Sequence, residues 1–340
     1  MSIATAPEAP SAPTTMDATL IERLREITTV RLDEPLGRHT TFGVGGPADV
    51  FVTARDANQL AQIVRAAREA EVSMFVLGSG SNILIGDGGV RGVVIDNQAK
   101  AVRVEPLRID GDGAVAIPAA FAREDPAALR VIWAESGTSF AALARRLGRD
   151  GLSGIEWAAG IPGTLGGAVV YNAGAYGGSL SDVLIAASLL DADGNARYVP
   201  AAELGFSYRS SVLLRGELPG AIVLSVELAA RTGDAAEIMA RVDDIDAQRL
   251  AAQPRGRTGG STFKNPPGHH AWELIDAVGM RGHRIGDAQV SEKHCNFFMN
   301  VGSARAADVA ALMDEARQRV KEQYGIALEN EVELVGEGFA

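Results

Sequence analysis

The 340-residue chain holds a single cysteine, Cys295. No intramolecular disulfide and no multi-cysteine metal site can form from it, and such cysteine usage fits a reducing, cytoplasmic setting. No run approaches the ~18 apolar residues of a transmembrane helix, so no membrane insertion is expected. Aromatics amount to 5% beside 46% hydrophobic residues, the balance of an ordinary soluble protein with a sizeable core. Basic charge is also short. A formal net charge of −11 argues against a nucleic-acid partner, which needs clustered Lys and Arg to displace counterions. Any anionic ligand must therefore meet a local pocket. The five histidines show neither H-x-x-x-H nor H-E-x-x-H spacing, so no metal site is expected. Without G-K-[ST] or G-x-S-x-G, a P-loop nucleotidase and a hydrolase nucleophile elbow are both set aside. The first fifteen residues, MSIATAPEAPSAPTT, have no basic n-region and no apolar h-region. A secretory signal is not indicated, and residues 1–16 read as a disordered tail.

Glycine is what the chain has in quantity. Residues 160–178 read GIPGTLGGAVVYNAGAYGG, seven glycines in nineteen positions with no lysine or histidine. Each missing Cβ exposes backbone N–H groups and permits φ > 0, which suits the cradling of a phosphate or a flat ring without side-chain charge. A second loop, Gly78, Ser79, Gly80, Ser81 and Asn82, follows the apolar run MFVL. A tight turn is the plain reading of that loop alone. Together the two loops suggest two walls around one large cofactor. The stretch FGVGGPA at 42–48 contains G-x-G-x-x-A but is not a dinucleotide fingerprint, because Pro47 and the strand-forming ADVFV stand where a helix N-terminus is required.

Periodicity organises the rest. Leu60, Ile63, Val64 and Ala67 predict a helix over 56–70 with Asp56 as N-cap, between strands at 49–54 and 74–78. RGVVI at 91–95 is the next strand. Residues 101–131 read as a hairpin with an inserted loop, 136–151 as a helix, and VLIAASLLDADGNARYVP as two strands about an Asp-Gly-Asn turn. After a strand at 221–229, charged helices are expected at 234–253 and 304–324, the latter capped by Ser303 and ended by Gly325. Between them lie GGSTFKNP and SEKHCNFFMN.

Three residues invite a chemical reading beside a plain one. Ser261 follows Gly259 and Gly260 and is either a turn residue or a proton donor. Glu331 lies in LENEVELVG, whose alternation gives either a solvated acidic strand face or a carboxylate turned into a cleft. Arg209, next to Tyr208 in FSYRSS, is either a surface ion-pair partner or a substrate clamp.

Taken in order, HTTFGVGG, VLGSGSNIL, GIPGTLGGAVVYNAGAYGG, FSYRSS, GGSTFKNP, SEKHCNFFMN and LENEVELVG closely resemble the UDP-N-acetylenolpyruvoylglucosamine reductase family of peptidoglycan synthesis over residues ~30–336. The resemblance implies an α+β fold. Residues 17–230 would form a bipartite FAD-binding region of vanillyl-alcohol-oxidase type (about 17–100 and 101–230) and 231–328 a substrate-binding lobe. Residues 329–340 would be a C-terminal strand returning to the FAD region. It also implies that NADPH reduces FAD and that the flavin reduces the enolpyruvyl ether of a UDP-sugar, in a cytoplasmic, monomeric enzyme.

By that resemblance residues 78–82 hold the FAD diphosphate, while Gly160, Ile161, Pro162, Gly163, Gly166, Gly167, Ala168, Asn172, Gly174 and Ala175 line the flavin. Arg209, Ser261 and Glu331 become the catalytic residues. Tyr208, Arg257, Lys264, Asn265 and His294 stand near the substrate. A related FAD oxidase using oxygen and a silent flavin or UDP-sugar binder are the alternatives, because a flavin-binding fold alone serves many chemistries.

Overall fold

A computed structural model describes residues 18–107 and 117–339; the tail expected at 1–16 lies outside them. The chain opens with α1 (Ala18–Ile27) and the edge strand β1 (Val30–Pro35), then β2 (Pro47–Ala54), α2 (Ala57–Glu69), β3 (Met74–Leu77), β4 (Ile83–Ile85) and β5 (Val90–Asn97). Asp56 caps α2 as its sequence predicts, its carboxylate accepting from Gln59 N at 2.8 Å. The helix buries Leu60, Ile63 and Val64 on a sheet of order β1-β2-β5-β3. β5 runs parallel to both β2 and β3, so it separates the two strands that flank α2. The loop after β3 thus leaves the carboxyl edge of parallel strands, where α/β sheets bind ligands.

The second unit is antiparallel. β6 (Val102–Pro106) and β7 (Leu129–Glu135) form the expected hairpin, and residues 108–116 of its inserted loop lie outside the described residues. α3 (Phe140–Arg149), β8 (Leu152–Ser153) and α4 (Leu165–Tyr171) follow, then the small hairpin β9 (Gly174–Ala175) and β10 (Gly178–Ser179). β11 (Leu184–Leu190), β12 (Ala196–Pro200) and β13 (Ile222–Thr232) complete a sheet of order β12-β11-β13-β7-β6, with β8 at the end of β13.

α5 (Ala235–Ala252), which an expected boundary at 231 assigns to the substrate lobe, packs instead with this second unit. Its Val242 belongs to the same core as Phe140, Leu143 and Leu147, and Asp246 accepts two hydrogen bonds from Arg145 of α3, at 2.6 and 3.0 Å. Gly148 lets the helices close, since a Cβ there would stand 2.9 Å from Met239 Sδ. A charged helix sequence does not disclose which neighbour its narrow apolar stripe meets.

The third unit holds β14 (Arg257–Ser261), α6 (Ala271–Ala277), β15 (Arg284–Ile285), β16 (Ala288–Val290), β17 (Phe297–Asn300), α7 (Ala306–Tyr324) and β18 (Glu333–Val335). Its sheet order is β14-β17-β16-β15. α7 buries the predicted stripe of Val309, Leu312, Met313, Ala316 and Val320 and ends at Gly325, with φ of 70°. Its start differs from the sequence reading. Ser303 donates its amide to Asp287, while Asp87, from the first unit, accepts from the amides of Ala306 and Ala307 at 2.8 and 3.1 Å. β18 runs parallel to β4, and Phe42, Val44 and Leu84 join the third unit's core. Gly86 is required at this junction, because a Cβ there would lie 2.0 Å from the Glu337 carbonyl oxygen.

Candidate active site

A cavity of about 520 Å³ opens where the three units meet. One wall is the loop after β3. The amides of Ser79, Gly80, Ser81 and Asn82 find no acceptor among the described residues, and all four residues line the cavity. Gly80 has φ of 61°, and a Cβ on it would meet the His39 carbonyl oxygen at 2.2 Å, so only glycine closes this turn. Ser79 Oγ donates to Ser81 Oγ at 3.1 Å. A row of free backbone donors without a lysine fits a diphosphate. Opposite stand Ile161, Pro162, Gly163, Gly166, Gly167 and Ala168, with Gly174 and Ala175 beyond them. The glycine-lined face and the volume suit FAD, so the residues present fit that cofactor.

Arg209, Ser261 and Glu331 line this same cavity from three different segments. Arg209 Nε donates to Glu331 Oε1 at 2.6 Å, and its Nη2 donates to the Gly174 carbonyl at 2.8 Å. The side chains are 23% and 16% exposed, so this is a largely desolvated pair. Burial pushes the Glu331 carboxyl above its ordinary range, against the opposing pull of Arg209 and Lys264. Desolvation therefore outweighs two cations, so the site favours the acid form more than water does. Glu331 is fixed by its backbone: its carbonyl accepts from Asn82 Nδ2 at 3.0 Å, and its amide donates to the Thr262 carbonyl at 2.9 Å. Ser261, half-buried, ends β14, and its hydroxyl meets no hydrogen-bond partner among the described residues.

Other candidates stand away from the cavity wall. Gly160 lies behind it, where a Cβ would fall 2.6 Å from Arg249 Cδ. Asn172 is buried and spends its amide on the protein, donating to Ser207 O and accepting from Ser181 N, both at 3.0 Å. Tyr208 is exposed beside Arg209. Arg257 donates to the Gly302 carbonyl. Lys264 stands 3.6 Å from Glu329. Asn265 accepts from Ala271 N at the start of α6, and His294 packs edge-on to Phe297, its pKa lowered chiefly by burial.

Among the side chains of the wall that sequence reasoning did not single out are Tyr171, Glu333 and Arg249. Tyr171 hydrogen-bonds to Glu333, and burial with that carboxylate drives its phenol pKa upward. Arg249 comes from α5, and its guanidinium donates to no acceptor among the described residues, while burial pulls its pKa down. An arginine in the charged run of a helix carries no motif that announces a cavity.

Known proteins agree with this architecture. Residues 48–199 match an FAD binding domain, and residues 252–335 match the UDP-N-acetylenolpyruvoylglucosamine reductase C-terminal domain. A UDP-N-acetylenolpyruvoylglucosamine reductase of Agathobacter rectalis is 41% identical over 306 residues, covering 90% of this chain and 93% of the relative. One from an Anaeromyxobacter species is 45% identical over 311 residues, 91% and 89% of the two chains. The crystal structure of the Thermus caldophilus enzyme superposes with a TM-score of 0.70 at 35% identity, over 91% of this chain and 98% of that one. With the α+β fold, the FAD-binding region and the reductase C-terminal domain in one continuous chain, this protein belongs to the UDP-N-acetylenolpyruvoylglucosamine reductase family.

Proposed function

We propose that this protein is an NADPH-dependent flavoenzyme, a UDP-N-acetylmuramate dehydrogenase that reduces UDP-N-acetylglucosamine enolpyruvate in cytoplasmic peptidoglycan precursor synthesis. The observation that carries the reading is the convergence of Arg209, Glu331 and Ser261 on one glycine-walled cavity. Residues 78–82 would hold the FAD diphosphate through backbone donors, and the loop at 161–168 with Gly174 and Ala175 would flank the ring. FAD, when bound, supplies the chemistry that NADPH and substrate share: it accepts hydride from the first and delivers hydride to C3 of the enolpyruvyl group of the second.

The chain's own residues handle charge and proton. Negative charge develops on the substrate carboxylate as C3 is reduced. Arg209 and a protonated Glu331 would hydrogen-bond that carboxylate and stabilise it in a site with little water. The raised Glu331 pKa supports this role. Ser261 would deliver the proton to C2, completing addition of hydride and proton across the double bond. Serine is a weak acid, so this works only against a strongly basic carbon with the hydroxyl in reach. The substrate, NADPH and FAD account for all expected partners, and the chain is proposed to act as a monomer.

Anaerobic stopped-flow absorbance tests the reading. NADPH is expected to bleach the flavin, and UDP-N-acetylglucosamine enolpyruvate to restore its absorbance rapidly. Restoration by oxygen alone would move the assignment to an oxidase, and a protein that neither binds flavin nor responds to NADPH would leave only a binding role.

A further inference from the structure

The turn that carries Arg209 is held in a conformation its side chain disfavours. Arg209 has φ of 51°. Ser207 and Ser210 exchange backbone hydrogen bonds of 3.1 and 3.2 Å, closing a two-residue turn over Tyr208 and Arg209. In such a turn a positive φ at the second central position ordinarily calls for glycine. A strained residue persists only where its surroundings over-determine it. Besides the Arg209–Glu331 pair and a bond from Arg215 to Ser210 Oγ, three tethers run to the end of α4 and the residues after it. Asn172 Nδ2 donates to the Ser207 carbonyl at 3.0 Å, Ser211 Oγ donates to the Val170 carbonyl at 2.7 Å, and the Arg209 guanidinium donates to the Gly174 carbonyl at 2.8 Å.

The two side-chain tethers are themselves fixed. Asn172 is the C-cap of α4, with φ of 43°, and its Oδ1 is held by the Ser181 amide. Ser211 is fully buried. Neither is among the residues that line the cavity.

We propose that Asn172 and Ser211 are positioning residues for Arg209, pinning its strained turn to the end of α4 so that the guanidinium faces Glu331 and the substrate carboxylate. The wall that flanks the cofactor thereby sets the direction of the arginine. This rests on the reading of Arg209 as a catalytic residue.

Two substitutions separate the tethers. Asn172→Asp keeps size and the acceptor for Ser181 but loses the donor to Ser207. Ser211→Ala loses the donor to Val170, and a long acceptor contact to Leu214 N at 3.4 Å, with little change of volume. Each is expected to lower kcat about tenfold or more, the scale of one lost hydrogen bond in the transition state, with KM, flavin content and the NADPH half-reaction within about twofold of the parent. The pH limb that reports Glu331 moves upward in each, because Arg209 is one of the groups holding that pKa down.

The decisive comparison is made in an Arg209→Ala background, where either substitution is expected to cost less than about twofold more, since a tether has nothing left to aim. Full multiplicative losses there would make both residues merely structural and overturn the proposal. Loss of flavin from Asn172→Asp with Ser211→Ala silent would overturn it in favour of a cofactor contact. If Asn172→Asp does not fold, Ser211→Ala decides by the same cycle. A harmless Arg209→Ala would instead sink the assignment of Arg209 itself, and with it the reading on which this proposal stands.

Discussion

Glu331→Gln separates the two roles a buried acid can have. If the Arg209 pair were a structural strut, removing the carboxylate would strand a guanidinium, a change that costs ~3–5 kcal/mol when the charge is truly buried. The geometry argues for a smaller effect. Arg209 keeps its bond to the Gly174 carbonyl and some solvent, and the raised Glu331 pKa means that burial costs the carboxylate more than Arg209 and Lys264 return. A raised carboxyl pKa makes the native state bind more protons than the unfolded chain between the two pKa values. Stability therefore falls as pH rises through that window. The neutral amide has no such slope. At pH 7.5 the variant should melt within about 3 °C of the parent or above it, which is roughly 1 kcal/mol for a domain of this size. Below pH 4 any advantage should vanish, since the parent's acid is then protonated in both states. Activity should fall by at least ~10²-fold. Thermal denaturation across pH 4 to 8, read beside steady-state turnover, tests both halves. A fall of ~10 °C or more at pH 7.5 would refute the claim that desolvation outweighs the ion pair.

Ser261→Ala should slow reduction of the enolpyruvyl substrate by ~10²–10⁴-fold while bleaching of the flavin by NADPH stays near normal; in stopped flow, equal loss of both steps would count against a proton-donor role. Gly80→Ala forces a Cβ against the His39 carbonyl at a positive φ and should leave the purified protein depleted of flavin, read from its visible-to-ultraviolet absorbance ratio. Arg249→Leu removes a guanidinium that has no hydrogen-bond acceptor among the described residues and should weaken FAD binding by about tenfold or more in a flavin fluorescence titration, as expected for losing one charge-assisted contact; unchanged affinity would mean that Arg249 meets no cofactor anion. Gly86→Ala sets a Cβ 2.0 Å from the Glu337 carbonyl and should lower Tm by several degrees by prying β18 from β4, whereas an unchanged Tm would show that the C-terminal segment yields freely.

Where physics is local, the sequence was a good guide. Asp56 caps α2 because its carboxylate needs only the amide three residues on, and the Asp-Gly-Asn turn sets β11 against β12 through contacts within one hairpin. The glycine loops were readable as two walls of one cavity, because a missing Cβ has the same steric meaning in any fold. The elements that failed to declare themselves depend on partners far away. Nothing in RGVVI says that β5 enters between β2 and β3, and no motif at 304–308 says that Asp87 supplies the cap of α7. The docking of α5 on α3 and the exposure of Arg249 to the cavity follow from one helix orientation, which its charged pattern leaves undetermined.

The site divides along the same line. Arginine, serine and glutamate were recognisable as types suited to stabilising an enolate-like carboxylate and moving a proton, but their meeting joins positions 122 residues apart in the case of Arg209 and Glu331. Asn172 shows the limit most clearly. An asparagine inside a glycine-rich run looks like one more ligand donor, yet its side chain is committed to Ser207, which opens the arginine turn, and to Ser181, just after β10. A buried amide that donates to one backbone segment and accepts from another ties the two together. A ligand that displaced either bond would leave a buried backbone group unpaired, at a cost comparable to the strength of the new hydrogen bond. Motif membership thus drew attention to the residue, and its hydrogen bonds are what support the positioning role proposed for it.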